Sequence, residues 1–215
     1  MRRASESLAD EPARVAGIVL AAGASRRMGH ASNKLVLDID GEPMVRRAVR
    51  CAIEAGLDPV VVVTGHQPSR IRAALGGLPC TFVENPAYTG PTSGSLHAGL
   101  RALDSSVSAA VVMLGDMVHV RSAMLAELVE RFRHSRAPLA VSRYGEEAVL
   151  APPLLFGREL WPELLAWSGE GGGKAVVAAH LDEAVMLDWP AEALRDIDTP
   201  EDYERSRGIR NEKRE

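Results

Sequence analysis

Cysteine is scarce in this chain, and long apolar stretches are lacking. The 215 residues include two cysteines, Cys51 and Cys80, which have neither the spacing of a metal site nor the density of a disulfide framework. No run of 18 or more apolar residues is present, so we expect no membrane span. The charged N-terminal segment lacks the apolar core of a secretory signal. These features predict a cytoplasmic protein without a membrane partner.

Common catalytic and cofactor-binding motifs are lacking as well. The sequence has no GxxxxGK[ST] phosphate loop, no GxGxxG dinucleotide motif and no GxSxG elbow. Its six histidines show no HExxH spacing, which disfavours a zinc site. A serine hydrolase is also disfavoured, and an NAD(P)H-dependent enzyme would need another turn to hold the pyrophosphate.

The net charge restricts the class of binding partner, and the length restricts the number of domains. The net charge of −4 argues against a nucleic-acid partner held by its phosphates. The basic residues instead cluster around positions 26–34 and 46–50, which favours a small anionic ligand. We expect a flexible tail over residues 1–14, a single domain over 15–205 and a second flexible tail over 206–215.

Apolar and β-branched runs alternate with helical patterns up to residue 144. Strands are predicted over residues 15–20, 59–64, 81–84, 109–114 and 139–143. Helices are predicted over residues 44–55, 69–75, 94–103 and 123–133. The order predicts an α/β fold in three layers, a mostly parallel sheet with helices on both faces. Beyond residue 144, a proline pair, a Trp/Leu-rich helix over 158–167 and a glycine run predict an elaboration on the substrate side.

Small and polar residues follow the predicted strands. Ligands of such sheets bind at the carboxyl ends of the strands, so the loops there are expected to form one site. The candidate nucleotide-binding residues at these ends are Leu20, Ala21, Ala22, Gly23, Thr64, Gly65, Asn85 and Asp116. In the first loop, small residues let backbone N–H groups approach a phosphate, and Arg26, Arg27 and Lys34 would neutralise its charge.

Asp116 follows directly on an apolar run and allows two interpretations. Its carboxylate suits Mg²⁺, which prefers oxygen ligands and commonly bridges nucleotide phosphates. The alternative is a turn or helix-capping aspartate. In the segment RDIDTPEDY, Asp196 and Asp198 offer a second carboxylate for a shared cation, whereas Thr199 and the proline after it have the pattern of a helix cap.

The segment GPTSGSLHAGL places Ser93 and Ser95 on either side of Gly94, at the start of a predicted helix. Hydroxyls and free N–H groups at this point would bind an anion or a base edge, and Ser95 is therefore a further candidate nucleotide-binding residue. Capping of the helix by either serine is the competing interpretation.

Five short motifs occur in a fixed order between residues 17 and 203. They are LAAGASRRMG with the following NKL, VVVTG (61–65), NPAYTGPTSGSL (85–96), LGDMV (114–118) and DIDTPED (196–202). Together they resemble the MobA-like nucleotidyltransferase family, and most closely its molybdenum-cofactor cytidylyltransferase branch. LAAG, where the guanylyl branch has LAGG, is similar to the cytidylyl form. Val118 in place of a proline and Lys174 in place of the arginine of GD-x-GAR depart from the family, mainly in the acceptor half.

The resemblance implies a Rossmann-like nucleotidyltransferase fold and the transfer of CMP from CTP to molybdopterin, with release of pyrophosphate. It also implies that Arg27, Lys34 and Asp116 are catalytic, with Arg27 and Lys34 on the phosphates. Mg²⁺ would be held by Asp116 and Asp198. A molybdenum hydroxylase or its chaperone is a further partner implied in this way.

Two other functions fit parts of the pattern. The MobA-like group includes proteins of the nicotine-blue-oxidoreductase type, so an NAD(P)H-dependent oxidoreductase is one alternative. A non-catalytic molybdenum-cofactor chaperone is the other. The two possible metal ligands, Asp116 and Asp198, favour catalysis over a chaperone.

Overall fold

The computed structural model of the chain describes residues 14–23, 33–171, 173–195 and 203. The strands within these ranges are Arg14–Ala21 (β1), Asp38–Ile39 (β2), Glu42–Pro43 (β3), Val60–Thr64 (β4), Thr81–Glu84 (β5), Val107–Leu114 (β6), Leu139–Tyr144 (β7), Val149–Gly157 (β8) and Val185–Trp189 (β9). The α-helices are Met44–Glu54 (α1), Pro68–Ala74 (α2), Ser93–Arg101 (α3), Ser122–His134 (α4), Trp161–Ala166 (α5) and Lys174–Ala179 (α6). Short 3-10 helices span Lys34–Val36, Arg158–Leu160, Leu181–Glu183 and Ala191–Leu194. In the described part of the chain, no helix has the length and apolar character needed to cross a membrane.

Seven strands form one sheet in the order β5-β4-β1-β6-β8-β7-β9. Neighbouring strands are parallel except where β8 lies antiparallel between β6 and β7. The short strands β2 and β3 pair separately as a hairpin. The predicted mostly parallel sheet is therefore confirmed, although β8 and β9 lie outside the strands that the sequence pattern predicts.

Helices cover both faces of the sheet, which confirms the three layers. Side chains alternate along a strand, so successive residues of β1 enter different cores. Val15 and Val19 pack with α1, α2 and α4, whereas Ala16 and Ile18 pack with α3, α5 and α6. A Cβ on Gly99 of α3 would lie 2.6 Å from Cγ2 of Ile18, so the glycine allows α3 to pack close to β1. This packing fixes α3 beside the carboxyl end of the sheet.

A proline pair in β8 explains why this strand is hard to predict. Pro152 and Pro153 lack N–H donors, and prolines are rare inside a sheet. The register between β7 and β8 shifts at this point. The two proline carbonyls instead accept hydrogen bonds from Oη of Tyr144 at 2.8 Å and Oγ of Ser142 at 2.7 Å. Hydroxyl groups thus take the place of ladder bonds.

The basic cluster at positions 46–50 does not form an anion site, which corrects the expectation from the sequence. Arg46 of α1 donates to the backbone carbonyls of Ala74 and Gly76 at the end of α2. The other two arginines form ion pairs with carboxylates. Arg47 lies 3.4 Å from Asp40, and Arg50 lies 2.9 Å from Glu42 and 2.7 Å from Glu54. Their charges hold α1 to its neighbours.

Cys51 is a buried structural thiol, as the helical pattern around it predicts. Its Sγ lies 3.4 Å from the carbonyl oxygen of Val120, to which it donates. Burial raises the pKa of the thiol to about 12. The thiolate is therefore scarce at neutral pH, and a nucleophilic role for Cys51 is disfavoured.

Candidate nucleotide-binding site

A cavity of about 870 Å³ opens at the carboxyl edge of the sheet. Its wall combines residues that follow β1 and β6 with residues of β8, α3 and α6. The sequence-predicted residues in this wall are Leu20, Ala22, Gly23, Lys34, Ser95 and Asp116. The loops after β1 and β6 thus meet around one space, as the parallel order of the strands predicts.

An ion pair between Lys34 and Asp116 lies in this wall. Nζ of Lys34 is 2.6 Å from Oδ2 of Asp116, and each side chain is 14% exposed. Lys34 begins a 3-10 helix whose cap is Asn33, and Oδ1 of Asn33 accepts a hydrogen bond from the N–H of Leu35 at 3.1 Å. The N–H of Gly115 donates to the carbonyl of Leu20, which holds the turn carrying Asp116 against the end of β1. Both charges are thus positioned by backbone contacts at the sheet edge.

The second oxygen of this carboxylate has no partner. Oδ1 of Asp116 is buried, and nothing in the described residues forms a hydrogen bond with it. A buried carboxylate oxygen without a partner is costly, and a cation would satisfy it. Mg²⁺ commonly takes one or two carboxylates and completes its shell with water and substrate phosphates. Asp116 therefore fits a magnesium ligand, although the described residues contain no cluster of three His, Cys, Asp or Glu that would hold a metal.

Buried contacts join the loops after β1 and β4. Asn33 is fully buried, and its Nδ2 donates to the carbonyl of His66 at 3.1 Å. The N–H of His66 donates in turn to the carbonyl of Ala22 at 3.2 Å. A Cβ on Gly65 would lie 2.4 Å from Cβ of Tyr88 and 2.9 Å from the carbonyl oxygen of Ala22, so only glycine fits between them. Asn33 therefore helps to hold the loops after β1 and β4 together. Its position next to Lys34 in the sequence does not reveal this role.

Four of the predicted residues lie behind the cavity wall. Ala21 is fully buried in the core, and Gly65 fills the narrow gap between two loops. The hydroxyl of Thr64 donates to the carbonyl of Val83 at 3.3 Å. Oδ1 of Asn85 accepts from the N–H of Ala87, and its Nδ2 donates to Oγ of Ser95 at 3.0 Å. In this structure they support the wall from behind.

Arg27 and Asp198 lie outside the described residues.

Ser93 and Ser95 lie in the first turn of α3, and neither caps that helix. Oγ of Ser93 accepts from the N–H of Gly169 at 3.1 Å, and Oγ of Ser95 accepts from Asn85. The capping residue of α3 is Thr92, and it makes no side-chain cap bond. The capping interpretation of the two serines is therefore wrong, and Ser95 reaches the cavity wall.

The far wall of the cavity comes from Thr92 and from the region after residue 144, which the sequence predicted to be an elaboration on the substrate side without naming a site residue in it. This wall contains Lys174 at the start of α6, Thr92 before α3, and an aliphatic surface. The aliphatic residues come from β8, α6 and the segments near them: Val149, Leu150, Ala151, Pro152, Leu154, Val177, Ala178, Leu181 and Leu194. A lysine directly after a run of glycines was the available sequence signal.

Comparison with known families decides the class of the protein. The family described as the MobA-like NTP transferase domain matches residues 17–185. The chain belongs to this family. In this MobA-like nucleotidyltransferase, the Lys34–Asp116 pair and most of the residues that line the cavity lie within the matched region.

Two curated proteins illustrate the range of relatives of this MobA-like chain. The bifunctional protein GlmU of Anaeromyxobacter dehalogenans (strain 2CP-C) is 33% identical over 138 residues, which is 62% of this chain. The aligned part makes up 28% of that relative, so the chain spans less than a third of its length. The probable molybdenum cofactor guanylyltransferase of Natronomonas pharaonis is 31% identical over 200 residues, covering 89% of this chain and 96% of the relative.

A solved structure shares the MobA-like fold. Rv0371c from Mycobacterium tuberculosis H37Rv superposes with a TM-score of 0.79 and 26% identity, covering 91% of this chain and 98% of that one. A complex of Rv0371c with manganese superposes with a TM-score of 0.71 and 26% identity, covering 90% and 97%. The α/β nucleotidyltransferase fold expected from the motifs is confirmed.

Proposed function

We propose that this nucleotidyltransferase moves the CMP group of CTP to the terminal phosphate of molybdopterin. The observation that carries the proposal is the Lys34–Asp116 pair, whose second carboxylate oxygen is buried and unpaired at the edge of a large cavity. This arrangement suits a metal-bound triphosphate. The name of the N. pharaonis relative supports a molybdenum-cofactor acceptor.

The proposed transfer requires little covalent work from the protein. An oxygen of the acceptor phosphate forms a bond to the α-phosphorus of the nucleotide. The bond from that phosphorus to the α–β bridging oxygen breaks, and pyrophosphate leaves with the electron pair. A dianionic acceptor phosphate needs no base for this step. Rate enhancement therefore depends on bringing two anions together and neutralising their charge.

The residues of the first loop would hold the triphosphate. A Cβ on Gly23 would meet no atom of the described residues within 4 Å, and this fits close approach of a phosphate to its backbone. Lys34 would exchange its carboxylate partner for phosphate oxygens, and Arg27 would add a second cation. Asp116 would then hold Mg²⁺ together with Asp198. The bound ion would supply neutralisation of the phosphate charge.

The proposed preference for CTP depends on Ala22, and GTP is the one competing nucleotide. Ala22 lines the cavity, and its methyl group takes up space that a glycine would leave for a purine. This favours CTP. The guanylyltransferase name of the N. pharaonis relative favours GTP as the second candidate.

Calorimetry tests the proposal directly. The purified protein is titrated with CTP, GTP, ATP and NADPH, each with and without Mg²⁺. We expect Mg²⁺-dependent binding of CTP, at least tenfold tighter than GTP, followed by pyrophosphate release when molybdopterin is added. Preference for GTP would overturn the cytidylyl assignment, and NADPH binding without any triphosphate binding would replace the transferase with the oxidoreductase.

A further inference from the structure

A small apolar cluster lies beside the turn that carries Asp116. Its buried members are Ile39 in the β2–β3 hairpin, Met44 at the start of α1, and Val118, and each is at most 5% exposed. These three side chains form the hairpin cluster. Val118 follows Asp116 by two residues, so the packing of its side chain constrains the turn that presents the carboxylate. The hairpin cluster therefore connects the hairpin to the edge of the candidate site.

Val118 also constrains this turn through its backbone. Its N–H donates to the carbonyl oxygen of Asp116 at 2.8 Å, which closes a tight three-residue turn. In the motif of the MobA-like family this position is a proline, which has no N–H and could not form the bond. In this chain a hydrogen bond and apolar packing thus take the place of a proline ring.

Tyr203 covers the hairpin cluster at the C-terminal end of the described chain. Its side chain packs against the cluster, and its Oη donates to the carbonyl oxygen of Asp38 at 2.8 Å. Antiparallel strands alternate between hydrogen-bonded and non-bonded pairs, and the N–H of Met44 donates to the carbonyl of Leu37 at 3.1 Å. The next pair, Asp38 with Pro43, is therefore non-bonded. The carbonyl of Asp38 thus points out of the hairpin, where the tyrosine hydroxyl satisfies it.

Tyr203 is also close in sequence to a proposed metal ligand. It comes five residues after Asp198, and Val118 comes two residues after Asp116. The contacts of Tyr203 therefore fix one end of the segment that carries the second carboxylate. The two segments that carry the proposed ligands are thus both fastened to the hairpin cluster.

The position of these two residues excludes direct contact with a ligand in the cavity. Neither Val118 nor Tyr203 is among the described residues that line it. Mg²⁺ demands near-ideal octahedral geometry, and residues that orient a metal ligand from behind typically alter metal affinity by a factor of about 10–100. Contacts of this kind therefore act on the metal through the carboxylates that they hold.

We propose that the hairpin cluster and Tyr203 position the metal-binding carboxylates, with Val118 holding the turn of Asp116 and Tyr203 holding one end of the segment of Asp198. Val118 and Tyr203 are positioning residues, since they act through these carboxylates. The inference rests on the proposed function, because it concerns the ion that accompanies the nucleotide.

Calorimetry with a non-reacting nucleotide tests the inference. The α,β-methylene analogue of CTP is titrated into each protein without Mg²⁺ and with it, and the ratio of the two Kd values is the metal enhancement. Val118→Ala keeps the N–H bond and removes the packing, whereas Tyr203→Phe keeps the ring and removes the hydroxyl. We expect the enhancement to fall about tenfold in Val118→Ala and about threefold in Tyr203→Phe, the scales of an orienting residue and of one hydrogen bond. The Kd without Mg²⁺ should stay within about twofold, because the phosphate contacts are unchanged.

Two matched variants control for lost stability. Val107→Ala removes the same methyl groups from a fully buried position at the start of β6, the end of the strand remote from Asp116. Tyr144→Phe removes a hydroxyl that also donates to a backbone carbonyl at 2.8 Å, that of Pro152. Urea unfolding measures the stability of each variant. Both controls should leave the metal enhancement within about twofold of the parent, since they are distant from the carboxylates.

Steady-state kinetics add a test that a purely structural role would not pass. Raising the Mg²⁺ concentration should restore turnover in Val118→Ala and Tyr203→Phe, because their ligands are present but poorly positioned. It should not restore turnover in Asp116→Asn, which lacks the ligand itself. A loss of turnover in Val118→Ala that excess Mg²⁺ leaves unchanged would count against the inference.

The outcomes separate this inference from the proposed function. If Mg²⁺ strengthens binding of the analogue in the parent and not in Asp116→Asn, while Val118→Ala and Tyr203→Phe keep the full enhancement, the inference is overturned and the proposed function stands. If the parent binds the analogue equally with and without Mg²⁺, the metal role in the proposed function fails and the inference fails with it. Equal losses in the test variants and their controls would assign the effect to stability and overturn the inference alone.

Discussion

Nζ of Lys34 lies 2.6 Å from Oδ2 of Asp116, while Oδ1 of the same carboxylate has no hydrogen-bond partner among the described residues. The pair therefore neutralises two charges at the sheet edge and leaves one oxygen with capacity for a further ligand. Binding of a metal nucleotide would rearrange this ion pair. Lys34 would turn towards phosphate oxygens, and Asp116 towards the cation.

Replacement of this carboxylate should abolish catalysis without unfolding the protein. Asp116→Asn keeps the volume of the side chain and removes the charge that would hold Mg²⁺. We expect kcat to fall at least about a hundredfold, as is typical when charge stabilisation in a transition state is lost. Pyrophosphate release measures the rate, and circular dichroism confirms the fold.

Asp58→Asn is the matched control for that substitution. Asp58 forms an exposed ion pair with Arg14 at 2.9 Å, just before β4 and therefore at the opposite edge of the sheet. Its loss should leave turnover within about twofold of the parent, because exposed ion pairs contribute little. Near-normal turnover in folded Asp116→Asn protein would remove Asp116 from the metal site.

The sequence predicted five of the seven strands of the main sheet and missed β8 and β9. β4 and β6 are continuous apolar runs buried on both faces, so they were recognised. β8 contains Pro152 and Pro153, and hydroxyls of β7 provide its bonds at those positions. Such side-chain substitutes depend on tertiary contacts and leave no periodic pattern in the sequence.

Lys34 should contribute to nucleotide binding and to stability at once. Lys34→Met is expected to weaken the binding of CTP with Mg²⁺ at least tenfold, because a phosphate contact is lost. It should also lower the free energy of unfolding by about 1–3 kcal/mol, since Asp116 is left buried without its partner. Calorimetry and urea titration measure the two effects.

A double variant separates these two roles. Lys34→Met combined with Asp116→Asn should recover most of the lost stability, because the uncompensated charge is gone, but it should not recover nucleotide binding. Lys213→Met is the control for loss of a lysine. Unchanged CTP affinity in Lys34→Met would show that Lys34 has a structural role alone.

Two glycines of the site should respond oppositely to alanine. Gly65→Ala places a Cβ 2.4 Å from Tyr88 and 2.9 Å from the carbonyl oxygen of Ala22, so we expect a loss of about 1–3 kcal/mol in stability. The Cβ of Gly23→Ala would have no atom of the described part of the chain within 4 Å, and the substitution should leave stability within about 0.5 kcal/mol. It should nevertheless weaken nucleotide binding if a phosphate rests on this backbone.

Thermal unfolding and CTP titration of both glycine variants measure these effects. Gly76→Ala is the control for a tolerated substitution, because its Cβ would have its nearest contact at 3.4 Å. Full CTP affinity in Gly23→Ala would argue against close approach of a phosphate at the first loop.

The candidate site was predictable where chemistry follows a strand end and unpredictable where it depends on distant segments. Asp116 follows β6 closely, and the fold brings it into contact with Lys34, which lies between β1 and α1. Asn85 also follows a strand, but the fold directs its amide to Ser95 and away from the cavity. Lys174 enters the site from a different segment, through bonds between a glycine loop and Thr92. Local sequence does not encode that juxtaposition.

His180 should stabilise the fold at acid pH and lose this effect at alkaline pH. Its ring lies 3.0 Å from a carboxylate oxygen of Glu163 and 3.3 Å from one of Glu183, and these hydrogen bonds raise the pKa of the imidazole above its ordinary 6.5. Because the folded state binds the proton more tightly, the contribution is complete below pH 6.5 and disappears as the pH rises through the folded-state pKa. His180→Gln should therefore cost roughly 0.2–1 kcal/mol at pH 6, the range for exposed pairs, and close to nothing at pH 9. Urea unfolding at both pH values measures the difference.

His134→Gln, which removes a ring bonded to the carbonyl of Glu130 at 2.8 Å, is the control. A cost for His180→Gln that is equal at pH 6 and pH 9 would show that the ring acts through packing instead of charge.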